Sequence, residues 1–193
     1  MKRICVFCGS STGVRPAYAQ AARELGAGIA RRGVGLVYGG GKVGLMGVLA
    51  DAVLGHGGEV IGVIPQGLVD KELAHTGLSE LRVVQSMHQR KALMAELSDA
   101  FLALPGGYGT LEEFCEMLTW SQLGLHRKPC GLLNVEGFYD PFLAQIDHAL
   151  SAQFIRPEHR LLLQAHSQPG PLLEQLLHFH PPAAKKWIDP EDT

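Results

Sequence analysis

Short apolar runs alternate along this chain with amphipathic windows of helical length, and glycine-bearing turns follow several of the runs. That alternation is the strongest constraint on the fold. A strand apolar on every residue must be covered on both faces, which is the condition of a parallel strand between two layers of helix. Runs of this kind predict strands over residues 4–8, 35–38, 59–64, 81–84, 100–104, 130–134 and 161–165. Helical patterns fall between and after them, over 17–32, 45–56, 87–97, 110–125, 139–153 and 171–179, and 65–79 reads as a loop with short pieces. The expected fold is α/β, a Rossmann-like doubly wound parallel sheet of about seven strands with helices on both faces. At roughly 150 residues per domain, the 193 residues suit one catalytic domain over 1–180. Proline-bearing residues 181–193 are expected to form a flexible tail.

Composition narrows the function classes. Hydrophobic residues make up 46% and charged residues 19%, which suits a packed core and not a disordered chain. The formal net charge is −2 and aromatics are 7%, so neither charge nor stacking surface suggests nucleic-acid binding. There is no apolar stretch of about 20 residues, so no transmembrane helix is expected. The apolar run near the N-terminus is too short for a signal sequence. The expected compartment is therefore the cytoplasm. Cys5, Cys8, Cys115 and Cys130 do not read as a disulfide framework. Cys5 and Cys8 lie within a strand, where a thioredoxin-type pair would not sit, and they have no second pair or nearby His to make a zinc site.

Three glycine turns follow predicted strands: Gly9-Ser10-Ser11-Thr12-Gly13, Gly39-Gly40-Gly41-Lys42-Val43-Gly44 and Pro105-Gly106-Gly107-Tyr108-Gly109-Thr110. In a doubly wound sheet all three lie on the edge where ligands bind. Glycine admits close backbone approach, and the following helix offers free N–H groups and partial positive charge to a phosphate. No turn ends in the Gly-Lys-Ser/Thr of a Walker loop, and no G-x-G-x-x-G follows the first strand. An NAD oxidoreductase is disfavoured. The pattern points to a nucleotide or phosphate ligand.

Two charged groups require a reason. Met87, Arg90, Lys91 and Met94 share a helix face. They suit either a methionine stripe flanked by snorkelling cations or an anion clamp using the planar guanidinium. Thr110 followed by Glu113 has the spacing of a capping box, a purely structural motif. Alternatively, Glu112 and Glu113 beside a phosphate seat could stabilise the oxocarbenium-like state of glycoside cleavage. Phe114 and Trp120 read as packing residues, and His178 and His180 as surface residues at a helix end.

The strings CVFCGSS (5–11), GGGKVGLMG (39–47), SMHQRKALM (86–94) and PGGYGTLEE (105–113) resemble the LONELY GUY (LOG) family of cytokinin riboside 5′-monophosphate phosphoribohydrolases. The resemblance spans about residues 3–180. It implies hydrolysis of the N-glycosidic bond of a nucleoside 5′-monophosphate to free base and ribose 5-phosphate, with no metal or organic cofactor. By resemblance the catalytic pair is Arg90 and Glu113. By resemblance the substrate-binding positions are Glu72, Lys91, Thr119 and the run Gly107, Tyr108, Gly109, Thr110, Leu111 and Glu112, to which the glycine turn itself adds Gly106. The resemblance also implies a homodimer with the site near the subunit interface. From the residues themselves, Gly40, Gly41 and Gly44 are further candidates for the phosphate. The substrate base is an isopentenyl-type adenine or plain adenine, and a non-catalytic nucleotide-binding module is the alternative from another class. A lysine decarboxylase, the label such proteins often carry, would need a Schiff-base lysine, and nothing in the sequence organises Lys42 or Lys91 for that.

Overall fold

A computed structural model describes residues 1–70 and 73–182. Glu72 and residues 183–193, most of the proposed tail, lie outside the described residues. In chain order the elements are β1 (Arg3–Phe7), α1 (Pro16–Arg31), β2 (Gly35–Tyr38), α2 (Gly44–Gly55), β3 (Val60–Pro65), α3 (Gln66–Val69), β4 (Glu80–Val84), α4 (Met87–Leu97), β5 (Ala100–Ala103), α5 (Tyr108–Leu123), β6 (Cys130–Leu133), α6 (Asp140–Ser151), α7 (Pro157–Arg160), β7 (Leu163–His166) and α8 (Pro169–Leu177), with a 3₁₀ turn at Val135–Gly137.

The strands form one sheet in the order β4-β3-β2-β1-β5-β6-β7, parallel throughout. The expected doubly wound sheet of seven strands is what forms. The order reverses between β1 and β5, where Val6 pairs with Leu102 and Phe7 with Ala103. The loops leaving these two strands flank the switch point, the usual ligand crevice of such sheets. Gly9 N–H donates to Pro105 O at 3.1 Å and ties the loops together.

Alternate residues of each strand enter different cores. Ile4, Val6, Leu36 and Tyr38 pack under α1, α2 and α8 with Leu25, Leu49 and Leu172. Cys5, Phe7, Val37 and Ile61 pack on the other face with Met94, Phe114, Met117 and Tyr139. Strands buried on both faces explain why they read as continuous apolar runs. The edge strands are the exceptions: β4 exposes Glu80, Arg82 and Val83, and β7 is half-buried after Leu163.

Predicted and observed elements agree to within a few residues. Two short pieces, α7 and the 3₁₀ turn, were not expected, and the loop expected over 65–79 carries α3. One boundary alters a functional reading. The helix expected from residue 110 begins at Tyr108 with Gly107 as its N-cap. Thr110 and Glu113 therefore lie inside α5, and the capping-box reading is wrong. The side-chain cap is at α4 instead: Ser86 Oγ accepts from Gln89 N–H at 3.1 Å, and Gln89 Oε1 accepts from Gln85 N–H at 2.9 Å. No helix among the described residues is long and apolar enough to cross a membrane.

Candidate active site

The loops after β1, β2 and β5 converge with the first turns of α4 and α5 on a cleft of about 420 Å³. Its polar wall includes Ser10, Arg90, Thr110, Glu112 and Glu113, and its apolar wall includes Ile64, Leu68, Leu73 and Met87.

Arg90 and Glu113 meet in this cleft. Burying a charge requires compensation by a partner and hydrogen bonds, and both are present. Arg90 Nη1 lies 3.2 Å from Glu113 Oε1, with the side chains only 11% and 10% exposed. Arg90 Nε donates to Val63 O at 3.1 Å, anchoring the guanidinium to the end of β3. Gly39 sets its position from the other side, since a Cβ there would lie 2.0 Å from Arg90 Nη2. Burial pushes the Glu113 carboxyl above its usual range. Arg90 pulls it back, Glu112 adds to the rise, and Lys91 opposes it. Met94 completes the buried helix face, whereas Met87 is 44% exposed at the cleft. Arg90 therefore faces the cleft, paired with Glu113, and the core reading describes Met94.

Above the N-terminus of α5 the glycines divide by role. Thr110 is buried and folds over Gly106, where a Cβ would come within 2.1 Å of Thr110 Oγ1. A Cβ on Gly107 or Gly109 would meet no heavy atom within 4 Å, and both residues line the cleft. The first turn of a helix presents unpaired N–H groups and partial positive charge. An anion can therefore approach this end closely.

The other expected site residues separate. Gly41 lines the cleft. Gly40 (φ 73°) is buried against Ile64 and Leu81, and its carbonyl accepts from His75 N–H at 2.9 Å. Gly44 (φ 60°) presses on the backbone of Ser10 and Ser11, where a Cβ would come within 2.2 Å. Both shape the loops from behind. Tyr108 stands 94% exposed at the cleft mouth, while Leu111 packs into the core. Thr119 is exposed further along α5 and donates to Cys115 O at 2.7 Å. Lys91 is not on the cleft wall: its ammonium contacts Glu112 and lies 3.1 Å from Glu116 Oε2. Glu72 lies outside the described residues.

Sequence reasoning missed Gly39 as the seat of the guanidinium. Its signal was present, because it is the first glycine after a buried strand, where another element can come close.

The lysine and cysteine chemistries do not fit. A Schiff-base lysine needs its pKa lowered. Burial lowers that of Lys91, but hydrogen bonds and charge from Glu112 and Glu116 outweigh burial and hold it above the ordinary value. Lys42 is an exposed loop residue. The residues present do not suit pyridoxal phosphate. Cys8 lines the cleft, but burial and the Glu113 charge push its thiol far up, so it is no nucleophile at neutral pH.

Comparison with known proteins identifies the family. Residues 46–176 match the family described as "Possible lysine decarboxylase". A probable cytokinin riboside 5′-monophosphate phosphoribohydrolase of Oryza sativa subsp. japonica is 54% identical over 181 residues, 94% of this chain and 74% of the relative. A cytokinin riboside 5′-monophosphate phosphoribohydrolase of Arabidopsis thaliana is 51% identical over 180 residues, 93% of this chain and 83% of the relative. Among solved structures, the molybdenum cofactor binding protein of Rippkaea orientalis superposes with a TM-score of 0.69 at 23% identity, covering 92% of this chain and 96% of that one. That likeness concerns the fold. With identity of this extent over nearly its whole length, and with the Arg90–Glu113 pair formed beside the glycine turn, the chain belongs to the LOG family of cytokinin riboside 5′-monophosphate phosphoribohydrolases.

Proposed function

We propose that this protein is an N-glycosidase that hydrolyses a cytokinin or adenine nucleoside 5′-monophosphate to the free base and ribose 5-phosphate. The observation that carries the reading is the buried Arg90–Glu113 pair, 3.2 Å apart, beside the open N-terminus of α5. The 5′-phosphate sits over Gly107–Thr110, held by first-turn N–H groups and the helix dipole. Glu72 and Gly41 complete the substrate contacts, by family resemblance and by place in the cleft respectively. Phosphate binding holds C1′ of the ribose near Glu113, and that orientation is where binding energy is best used. As the C1′–N9 bond breaks, its electron pair leaves with the base, and the carboxylate of Glu113 stabilises the positive charge developing on the ribose. Water attacks C1′ and gives its proton to Glu113, and the departing base takes up a proton. Arg90 keeps Glu113 ionised and aimed until then.

Two copies pair with the site near their interface. Thr119, a substrate position by resemblance, is exposed on α5 outside this chain's own cleft, which suits a neighbour's site. A monomer by sedimentation at micromolar concentration would contradict the pairing. The four free thiols suit the reducing cytoplasm.

The test is base release from isopentenyladenosine 5′-monophosphate and from AMP, with the riboside as control. Release from a monophosphate and not from the riboside is expected, and the ratio names the preferred base. Glu113→Gln should lower turnover about 10³-fold. Tight nucleotide binding without base release would identify a binding module instead.

A further inference from the structure

The apolar wall of the cleft has two kinds of support. Ile64 lies near the end of β3 and Met87 opens α4, so both belong to regular elements. Leu68 and Leu73 come instead from the segment between β3 and β4, and they are half-buried. Leu73 N–H donates to Leu68 O at 3.3 Å. Leu73 O accepts from Lys42 N–H at 3.0 Å, and His75 N–H donates to Gly40 O at 2.9 Å. These last two bonds flank a single antiparallel bridge between Gly41 and Ala74. One hydrogen bond contributes little net stability, so two of them hold the segment weakly. The His75 side chain adds a tie at each ring nitrogen. Nδ1 accepts from Gly77 N–H at 3.1 Å, so Nε2 carries the ring proton and donates it to Asp51 Oδ1 at 2.9 Å. The ring is only 14% exposed, whereas the Asp51 carboxylate is 71% exposed and keeps its hydration. Asp51 belongs to α2, the helix that continues the Gly39–Gly44 turn. We propose that His75 is a positioning residue: tied to Asp51, it holds Leu73 against that turn and so fixes the cleft wall that receives the base.

This role rests on the proposed function for what occupies the cleft. In that reading the 5′-phosphate lies over Gly107–Thr110 and the ribose beside Glu113, and both groups are polar. The purine and its isopentenyl substituent are the parts that apolar side chains can take. Dispersion contacts fall away steeply once a gap opens, so Leu73 serves there only while its backbone is fixed. His75 itself does not line the cleft. Its removal therefore weakens binding of a ligand that carries a base and leaves binding of a bare sugar phosphate unchanged. A histidine needed only for folding would weaken both or neither.

The test compares the full-length protein with His75→Ala, His75→Gln, Asp51→Ala and the double variant His75→Ala/Asp51→Ala. Affinities for isopentenyladenosine 5′-monophosphate and for ribose 5-phosphate are measured by calorimetry in a Glu113→Gln background, so that no turnover intervenes. Hydrogen exchange of the Lys42 amide, the donor to Leu73 O, is read by NMR in the free protein. His75→Ala and Asp51→Ala should each lose about tenfold in nucleotide affinity, the range of a small apolar contact, and keep ribose 5-phosphate affinity within about twofold. Lys42 should exchange about tenfold faster in both. The double variant should be no weaker than the weaker single variant, because the two residues form one link. His75→Gln, whose amide nitrogen can still donate to Asp51, should stay within about threefold of wild type. Nucleotide affinity and Lys42 exchange unchanged in both His75→Ala and Asp51→Ala would overturn the proposal. Equal loss of nucleotide and ribose 5-phosphate affinity would also overturn it, since the effect would then lie outside the base wall. If His75→Ala does not fold, Asp51→Ala decides, because its side chain is largely exposed. A wild-type protein that releases no base would refute the proposed function, while the affinities and the Lys42 exchange would still decide the role of His75.

Discussion

Gly39→Ala tests whether the guanidinium of Arg90 must lie where it does. Gly39 has no positive φ, so alanine is compatible with its backbone. The objection is spatial. The new Cβ would fall 2.0 Å from Arg90 Nη2 and 3.1 Å from Cζ, with Met46 Sδ at 3.4 Å on another side. Ordinary contact begins near 3.4 Å, so the guanidinium must retreat by about 1.4 Å. It cannot retreat that far while holding both Val63 O at 3.1 Å and Glu113 at 3.2 Å. The carbonyl belongs to β3, held between β2 and β4, and cannot follow, so the pair with Glu113 opens. A misplacement of about 1 Å in a catalytic group costs on the order of 10²-fold in rate, or about 2.7 kcal/mol of barrier. The assay is base release from isopentenyladenosine 5′-monophosphate, alongside Gly55→Ala. Gly55 closes α2, and a Cβ there meets nothing within 4 Å. Gly39→Ala should fall about a hundredfold in kcat/KM with its far-UV spectrum unchanged, and Gly55→Ala should match wild type. Activity of Gly39→Ala within threefold of wild type would refute the view that this glycine seats Arg90 for the proposed reaction.

Because burial holds the Glu113 carboxyl above its usual range, its ionised form is reached only at higher pH than in an exposed glutamate. The acid limb of kcat/KM should therefore lie above about 4.3, the ordinary glutamate value, with rate rising as pH climbs through it; a limb at or below that value counts against Glu113 as the base. Gly26 lies where α1 meets α2, and a Cβ there would come 2.8 Å from Ala52 Cβ and 2.9 Å from Leu49 O. The main chain cannot yield, so Gly26→Ala should lose about 1–2 kcal/mol by urea unfolding, overpacking exceeding the gain in helix propensity. Leu25→Ala, from a fully buried position, should lose about 2–5 kcal/mol in the same measurement.

The fold was legible because its strands are buried on both faces. Runs such as Ala100–Ala103 and Cys130–Leu133 leave little choice other than a covered parallel sheet. The site was legible less evenly, and each miss has a physical cause. Thr110 and Glu113 have capping-box spacing, but spacing does not say where a helix begins; Gly107 starts the helix three residues before Thr110 and carries Glu113 into its buried second turn. Gly39, Gly40 and Gly41 are indistinguishable as letters. Only the placement of Arg90, Ile64 and Met46 around them separates the glycine that seats an arginine from the one that packs on β3 and the one that opens onto the cleft. Arg90 and Lys91 are likewise adjacent cations in a motif. A helix turns by about 100° per residue, however, and that rotation sends one side chain into the cleft and the other to Glu112 and Glu116 on its flank. A motif names the residues at a site, and the helical rotation and the contacts that follow from it decide which of them line the cleft of this chain.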